Sequence, residues 1–241
     1  IFIPLFSVEI LFTYFYLNPQ ASTGLFSITI NNRNYSKLNS NLPESGYEKF
    51  YGGYIKINDG KPIKMSMRYR GDSLFHWYFK QKSLRIKLKK GNLYNLERKF
   101  NLINPMLLSG FRDIANYRLS SELGIISPDQ YPVKVFINNE YYGVYLYLSQ
   151  VDESLLRKHK VMPGSIYYGD LGAPMSKKGF SSLWLDPKHW KKKASRNIEQ
   201  KKFRDDINLF IRKINNTSEL EFYNFFNKYI DKNIFYNFIS L

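Results

Sequence analysis

The chain has 241 residues, a formal net charge of +16, 44% hydrophobic side chains and 23% charged ones. These are globular values, and they exclude disorder over the whole length. Cysteine is absent and the histidines are only His76, His159 and His189, which excludes a disulfide scaffold, a thiolate zinc site, a cysteine nucleophile and a histidine-rich metal cage.

Residues 1–20 read as a signal- or anchor-like segment. Ile1–Leu17 carries a single charge, Glu9, and Asn18-Pro19 stops it. That length is the lower edge of a membrane span. A signal peptide or signal anchor implies an extracytoplasmic or membrane-anchored surface location. Pro4 and Glu9 suit the other reading, a buried N-terminal helix or strand pair.

Residues 24–38 and 50–70 read as strands. Gly24–Ile30 is β-rich and Asn31-Asn32 is a turn signal. Asn58-Asp59-Gly60-Lys61 reads as a hairpin turn. Ile63, Met65, Met67 and Tyr69 then alternate with Lys64, Ser66, Arg68 and Arg70, and Gly71-Asp72-Ser73 breaks the strand. Lys82–Lys89 alternates again, with Leu84, Ile86 and Leu88 opposite Ser83, Arg85, Lys87 and Lys89. Strand side chains alternate sides, so one face packs on a core and the other carries a row of cations.

Residues 110–123 predict a helix stopped by Gly124. Pro132–Ile137 and Tyr141–Leu148 predict strands joined at Asn138-Asn139. Asp152–His159 predicts a short helix. Residues 164–200 lack periodicity and read as a loop or insert. Phe203, Ile207, Phe210, Ile211 and Ile214 predict an amphipathic helix. Ser218 and Glu221 form a capping box for the next one, whose Phe225, Phe226, Tyr229 and Ile230 face inward. Asp231 caps a last helix that runs to Leu241 without a stop signal, the pattern of a truncated C-terminus. The order predicts an α+β fold: an antiparallel sheet with one packed helix, then a helical part.

Two segments hold the whole charge surplus. Residues 61–90 carry ten Lys/Arg against Asp72, and residues 177–202 carry nine against Asp186 and Glu199. The other 185 residues balance at 17 of each sign. A partner rich in negative charge is implied: nucleotide phosphates, nucleic acid or an anionic surface. The compositional bias of an AT-rich coding sequence is the ordinary alternative. Trp184 and Trp190 among lysines allow stacking on single-stranded nucleic acid, but no nucleic-acid-binding pattern accompanies them, and no specific nucleic acid is expected. His76, in the aromatic run Phe75–Phe79, reads as a flap or as a turn packed on the sheet.

Several blocks in series resemble the CotH-type spore-coat kinase family, a divergent branch of the protein-kinase-like fold. Arg70-Gly71-Asp72-Ser73 is similar to its Arg-Gly-x-Ser loop. Gln81–Leu88 is similar to its Lys-Lys-Ser-Tyr-Arg-Ile-Lys strand. Asn101 and the Ser109–Leu123 segment, with Arg112 and Asn116, resemble its helix region. Asn138-Asn139-Glu140-Tyr141-Tyr142-Gly143-Val144-Tyr145 resembles its hairpin core. The likeness is good over about residues 50–160 and loose over 203–241.

The resemblance implies ATP-dependent phosphoryl transfer to protein Ser/Thr with Mg or Mn, catalysed by positioning and charge neutralisation. It implies a divergent kinase-like fold, with a β-rich nucleotide-binding lobe at 21–160, a basic loop at 161–202 and the start of a helical lobe at 203–241. Arg70, Gly71 and Ser73 would form a phosphate lip. Lys82, Arg85 and Lys87 would hold phosphates, with Arg85 and Lys87 ahead because they share a face. Tyr145 and Tyr147 would lie by the adenine. Glu122 or Asp113 would steady a strand cation. The family often has Glu where Ser149 stands, and its catalytic and metal-binding acids lie beyond a helix resembling Asp231–Leu241, so this piece alone is expected not to transfer phosphate. A protein substrate, acidic or phosphorylated, would be the partner. The alternatives are a non-catalytic surface, adhesion or coat protein keeping the fold, and a polyanion-binding module.

Overall fold

The computed structural model describes residues 24–43, 49–71, 74–105, 109–169, 183–184, 187–194 and 205–241. They divide into two compact units, one within residues 1–119 and 127–150 and the other within 120–126 and 151–241.

The first unit is built on strands β1 (Gly24–Thr29), β2 (Tyr51–Ile57), β3 (Ile63–Tyr69), β4 (Leu84–Leu88), β5 (Lys99–Ile103), β6 (Gln130–Ile137) and β7 (Glu140–Ser149). They form a closed barrel in the order β1-β2-β3-β4-β5-β7-β6. Every neighbouring pair is antiparallel except β1 with β6, which run parallel with Phe26 opposite Val135. The α+β class therefore stands, but the divergent kinase-like fold, an antiparallel sheet with one packed helix, is corrected: the strands close into a barrel with one parallel pair. The reason is the parallel seam, which joins segments over a hundred residues apart and leaves no mark in either local pattern.

Alternation decides what fills the barrel. Phe26, Ile28, Ile55, Met65, Met67, Leu84, Ile86, Leu88, Phe100, Leu102, Val133, Val135, Tyr145 and Tyr147 are all buried in one cluster. Tyr147 stacks on its cross-strand partner Tyr131 at 4.6 Å between ring centroids. Phe26 meets Tyr94, Phe100 and Tyr147 edge-on. A small barrel of this kind is a packed core and not a pore.

Two turn asparagines hold β1 in place. Asn58 and Asn138 both have positive φ, which Asn tolerates at a tight turn. Asn58 Oδ1 accepts from Leu25 N at 2.8 Å while its own N–H donates to Leu25 O. Asn138 repeats the arrangement, accepting from Ile30 N at 2.9 Å and donating to Ile28 O.

The structure departs from the sequence reading in two places here. Residues as far as 38 were read as strand after a turn at Asn31-Asn32; instead helix α1 (Asn32–Asn39) follows, because Asn31 Oδ1 accepts from Asn34 N and caps it. β5 was not anticipated: five residues with only Phe100 and Leu102 as an apolar pair give too short an alternation. Helix α2 (Ser109–Glu122) matches the predicted span.

In the second unit, Asp152 caps helix α3 (Glu153–Lys158). Strands β8 (Ile166–Gly169) and β9 (Trp190–Ala194) pair antiparallel, where residues 164–200 were expected to be irregular. Helices α4 (Asp205–Asn216), α5 (Glu219–Tyr229) and α6 (Lys232–Ile239) follow. Ser218 makes no side-chain bond to the helix backbone; its hydroxyl donates to Glu221 instead, so only half of the expected capping box forms. Asp231 does cap α6 by accepting from Ile234 N. Phe225 is buried, whereas no residue of α6 is.

The signal- or anchor-like reading falls on the first twenty residues. Residues 1–20 lie outside the described residues, and among the described residues no helix is long and apolar enough to cross a membrane.

The Asn138 clasp is testable by urea denaturation. Asn138→Gly keeps the positive-φ turn but strips the acceptor from the Ile30 N–H, and Ile30 is buried. Stability should fall by about 1–3 kcal/mol, the cost of an unsatisfied buried donor. Asn138→Asp restores the acceptor and should recover most of that loss.

Candidate functional site

The expected phosphate lip follows β3. Gly71 has φ +113°, and a Cβ there would come within 2.3 Å of His76 Cβ. Only glycine lets the two segments approach this closely. The approach is fixed by a hydrogen-bond network around Ser83, which is fully buried. Arg70 N donates to Ser83 O at 3.0 Å and Ser83 N to His76 O at 2.6 Å. His76 Nδ1 meets Ser83 Oγ at 3.0 Å, and Asn104 N donates to the same hydroxyl. Asn104 Nδ2 donates to Gln81 O, and Gln81 Nε2 reaches Val144 O on β7. Residues 74–81 are thus a turn pinned to the sheet, with Trp77 buried, and His76 is a structural residue of that turn. Ser73, the third expected lip residue, lies outside the described residues.

Of the expected phosphate ligands, Arg85 and Lys87 stand together on the outer face of β4. Arg68 on β3 pairs with Arg85, and Lys99 on β5 pairs with Lys87. Arg85 Nε donates to Asn101 Oδ1 at 3.0 Å, and Asn101 Nδ2 in turn to Leu148 O. Phe50 carries two cations on its ring, Arg68 at 5.5 Å and Lys87 at 5.7 Å, an arrangement favoured by the ring quadrupole. Lys82 is elsewhere: its Nζ donates to Phe79 O and sits 5.8 Å from the Tyr69 ring centroid. Burial lowers the Lys82 pKa.

Arg70 lies beyond the end of β3. Burial, then the charge of Asp113 on α2, raise the Tyr117 pKa, and the Arg70 charge offsets part of that rise. Asp113 and Arg70 therefore act on one phenol. Glu122, the other expected acid, is exposed at the last position of α2, in the second unit.

Tyr145 and Tyr147 do not line a base pocket. They are 1% and 0% exposed and point into the barrel, where Tyr147 is stacked on Tyr131. Burial holds both phenols well above their usual range. No pattern in the sequence marks Glu97, which is 1% exposed. Its carboxylate accepts from Tyr147 Oη at 3.4 Å and from Gln150 N at 3.1 Å. Nor did it single out Lys134, an outward position on β6 that is nevertheless 2% exposed. Both look like ordinary surface charges in the sequence, and only tertiary covering distinguishes them. The Ser149 hydroxyl, where a family carboxylate was expected, reaches Asp129 at 3.4 Å.

The expectation of ATP with Mg or Mn is corrected on three observations. Tyr145 and Tyr147, expected beside the adenine, point into the barrel core. Arg85 and Lys87 lie in a spread sheet of cations and do not converge on a hollow with Lys82. Among the described residues no group of three or more His, Asp or Glu could hold a metal ion.

Asp205-Asp206, at the start of α4, was read as a solvated pair. Asp206 does more. It accepts from Tyr167 Oη on β8 and faces Lys192 Nζ on β9 at 3.7 Å, with the Lys192 side chain only 5% exposed. Burial raises the Asp206 pKa, but the Tyr167 and Ser165 hydroxyls, the Ile207 N–H and the Lys192 charge outweigh it and leave it lowered. The carboxylate ties the β8–β9 pair to α4.

Comparison with known proteins gives two matches. A family model described as CotH kinase protein matches residues 67–240. The sequence is also 32% identical over 118 residues to inner spore coat protein H of Bacillus subtilis (strain 168). That stretch is 47% of this chain and 31% of the relative, so the chain spans about a third of its length.

Two variants test the geometry. Gly71→Ala forces a side chain into both a disfavoured φ and the His76 ring, and should destabilise by about 1–3 kcal/mol in a thermal or urea melt. Asp206→Asn tests the second unit by pH. The folded pKa lies below the unfolded one, so the carboxylate contributes fully above the ordinary carboxylate range. That contribution is lost as pH falls through the depressed folded value. The variant should be less stable at neutral pH and show a flatter acid limb than the parent.

Proposed function

The chain belongs to the CotH family, and from that premise we propose that it is a non-catalytic structural module of a spore coat or cell surface that retains the family's fold. One observation carries the reading: Tyr145 and Tyr147, which the family resemblance sets beside an adenine, are packed inside a filled barrel. A nucleotide base could enter only by displacing core aromatics, at a cost of several kcal/mol per side chain. The relative's description as an inner spore coat protein supports the same direction. So does the turn network around Ser83, which uses the lip's backbone groups internally: Arg70 N is committed to Ser83 O, although an anion-binding loop needs its N–H groups free.

Phosphoryl transfer by a longer form of the protein is the competing reading, and the family's description as a kinase favours it. A labelling assay separates the two. The longest natural form, incubated with radiolabelled ATP, Mg or Mn and a hydroxyl-bearing protein acceptor, should leave acceptor and protein unlabelled. Cell or spore fractionation should recover it with the coat or surface layer. Label that depends on the protein would overturn the proposal.

A further inference from the structure

The outer wall of β2–β5 is a field of cations with no acid in it. The outward positions on these strands are Gly52, Tyr54 and Lys56, then Lys64, Ser66 and Arg68, then Arg85 and Lys87, then Lys99 and Asn101. Lys89 extends the β4 row and donates its N–H to Lys64 O. The register sets like charges against each other: Arg68 faces Arg85, Lys87 faces Lys99, and Lys64 lies beside Lys89. Like charges directly opposite across a ladder are destabilising. Three such pairs concentrate positive charge on one wall, to which a polyanion is complementary.

We propose that this wall is a docking surface for an extended, Asp/Glu-rich polypeptide segment. The inference goes beyond the structural-module reading and does not require it, since a docking face would serve an enzyme equally well. Three features select the partner. Same-face positions along a strand repeat every ~6.6 Å, so Arg85, Lys87 and Lys89 match alternate carboxylates of an extended acidic chain. The exposed cations, Lys56, Lys64, Lys89 and Lys99, are all lysines. These are point charges without the rigid fork by which arginine recognises phosphate bidentately. The two arginines are half-buried, Arg85 against Asn101 and Arg68 over Phe50. Nucleic acid fits less well, because bases need free aromatic faces to stack on. The Phe50 ring already carries Arg68 and Lys87, which leaves Tyr54 as the one other aromatic among these outward positions.

The test is fluorescence anisotropy of the full chain with a labelled oligoglutamate. Binding should be saturable and should weaken steeply between low and physiological salt. The triple variant Lys64→Glu, Lys87→Glu, Lys89→Glu should lose at least tenfold in affinity while its thermal midpoint holds, since Lys87→Glu makes an opposite pair with Lys99 and positions 64 and 89 remain a like pair. The matching Lys→Gln triple should lose severalfold, and it serves as the readout if the reversal fails to fold. A control, Lys191→Glu with Lys193→Glu on β9, shifts the charge of the other basic cluster by four units against the six of the Lys→Glu triple and should bind as the parent does. Unchanged affinity of both sheet triples would sink the proposal. So would an equal loss in the β9 control, which would mean that net charge alone is sensed. A phosphopeptide or single-stranded oligonucleotide of equal charge that binds tenfold tighter through the same lysines would overturn the choice of partner.

Discussion

Everything in the first unit depends on the parallel seam between β1 and β6. Without it the remaining strands form an open antiparallel sheet, with β1 exposed on one side and β6 on the other. With it the sheet closes, and every strand residue must be either inside or outside. The seam is short, five residue pairs from Gly24 with Val133 to Ile28 with Ile137. Asn138 secures its far end, and Asn58 holds the near end of β1 against β2, each at a turn of the chain. Apolar burial gives the barrel its stability, but these directional bonds fix which β1 residue faces which partner. A shift of one residue would turn Phe26 and Ile28 outward.

Closure also decides which chemistry is open to each residue. On β4 the same five residues give the core Leu84, Ile86 and Leu88 and the surface Arg85 and Lys87. On β7 the inward positions are tyrosines, so the aromatic groups that make the hairpin resemble a nucleotide site are those that fill the lumen. The result is a barrel with its lumen aromatics sequestered and the cations of its outer face displayed. Such a surface is suited to contact with other macromolecules more than to enclosing a small one. The engagement of Ser83, Asn104 and Gln81 in one network strengthens that division, because the turn following β3 is held against the sheet by bonds at several points.

Much of this was legible in the sequence. The alternation at 63–70 and 82–89 located β3 and β4 and their cationic face, and Asn58 and Asn138 marked turns. The family blocks were recognisable in series. What was not legible has a common physical origin. The β1–β6 seam, the burial of Glu97 and Lys134 and the Asp206 clasp all join residues distant in sequence, and period and propensity carry no such information. The α1 error is of another kind. Asn31 was read correctly as a point where the chain changes direction, but a side chain that begins a turn also begins a helix, and the bond to Asn34 N chose the second. β5 fell below the length at which alternation is distinguishable from chance.

The seam has a consequence for the order of assembly. Ile30 and its clasp residue Asn138 are 108 positions apart, so a nascent chain leaving the ribosome exposes β1 long before its parallel neighbour is synthesised. Until then β2 can pair with it on one side only, leaving an apolar strand with bare amide groups on the other, a template for pairing between chains. Non-local pairing of this kind slows folding. Yield during synthesis should therefore be governed less by the finished barrel's stability than by what shields β1 while it waits.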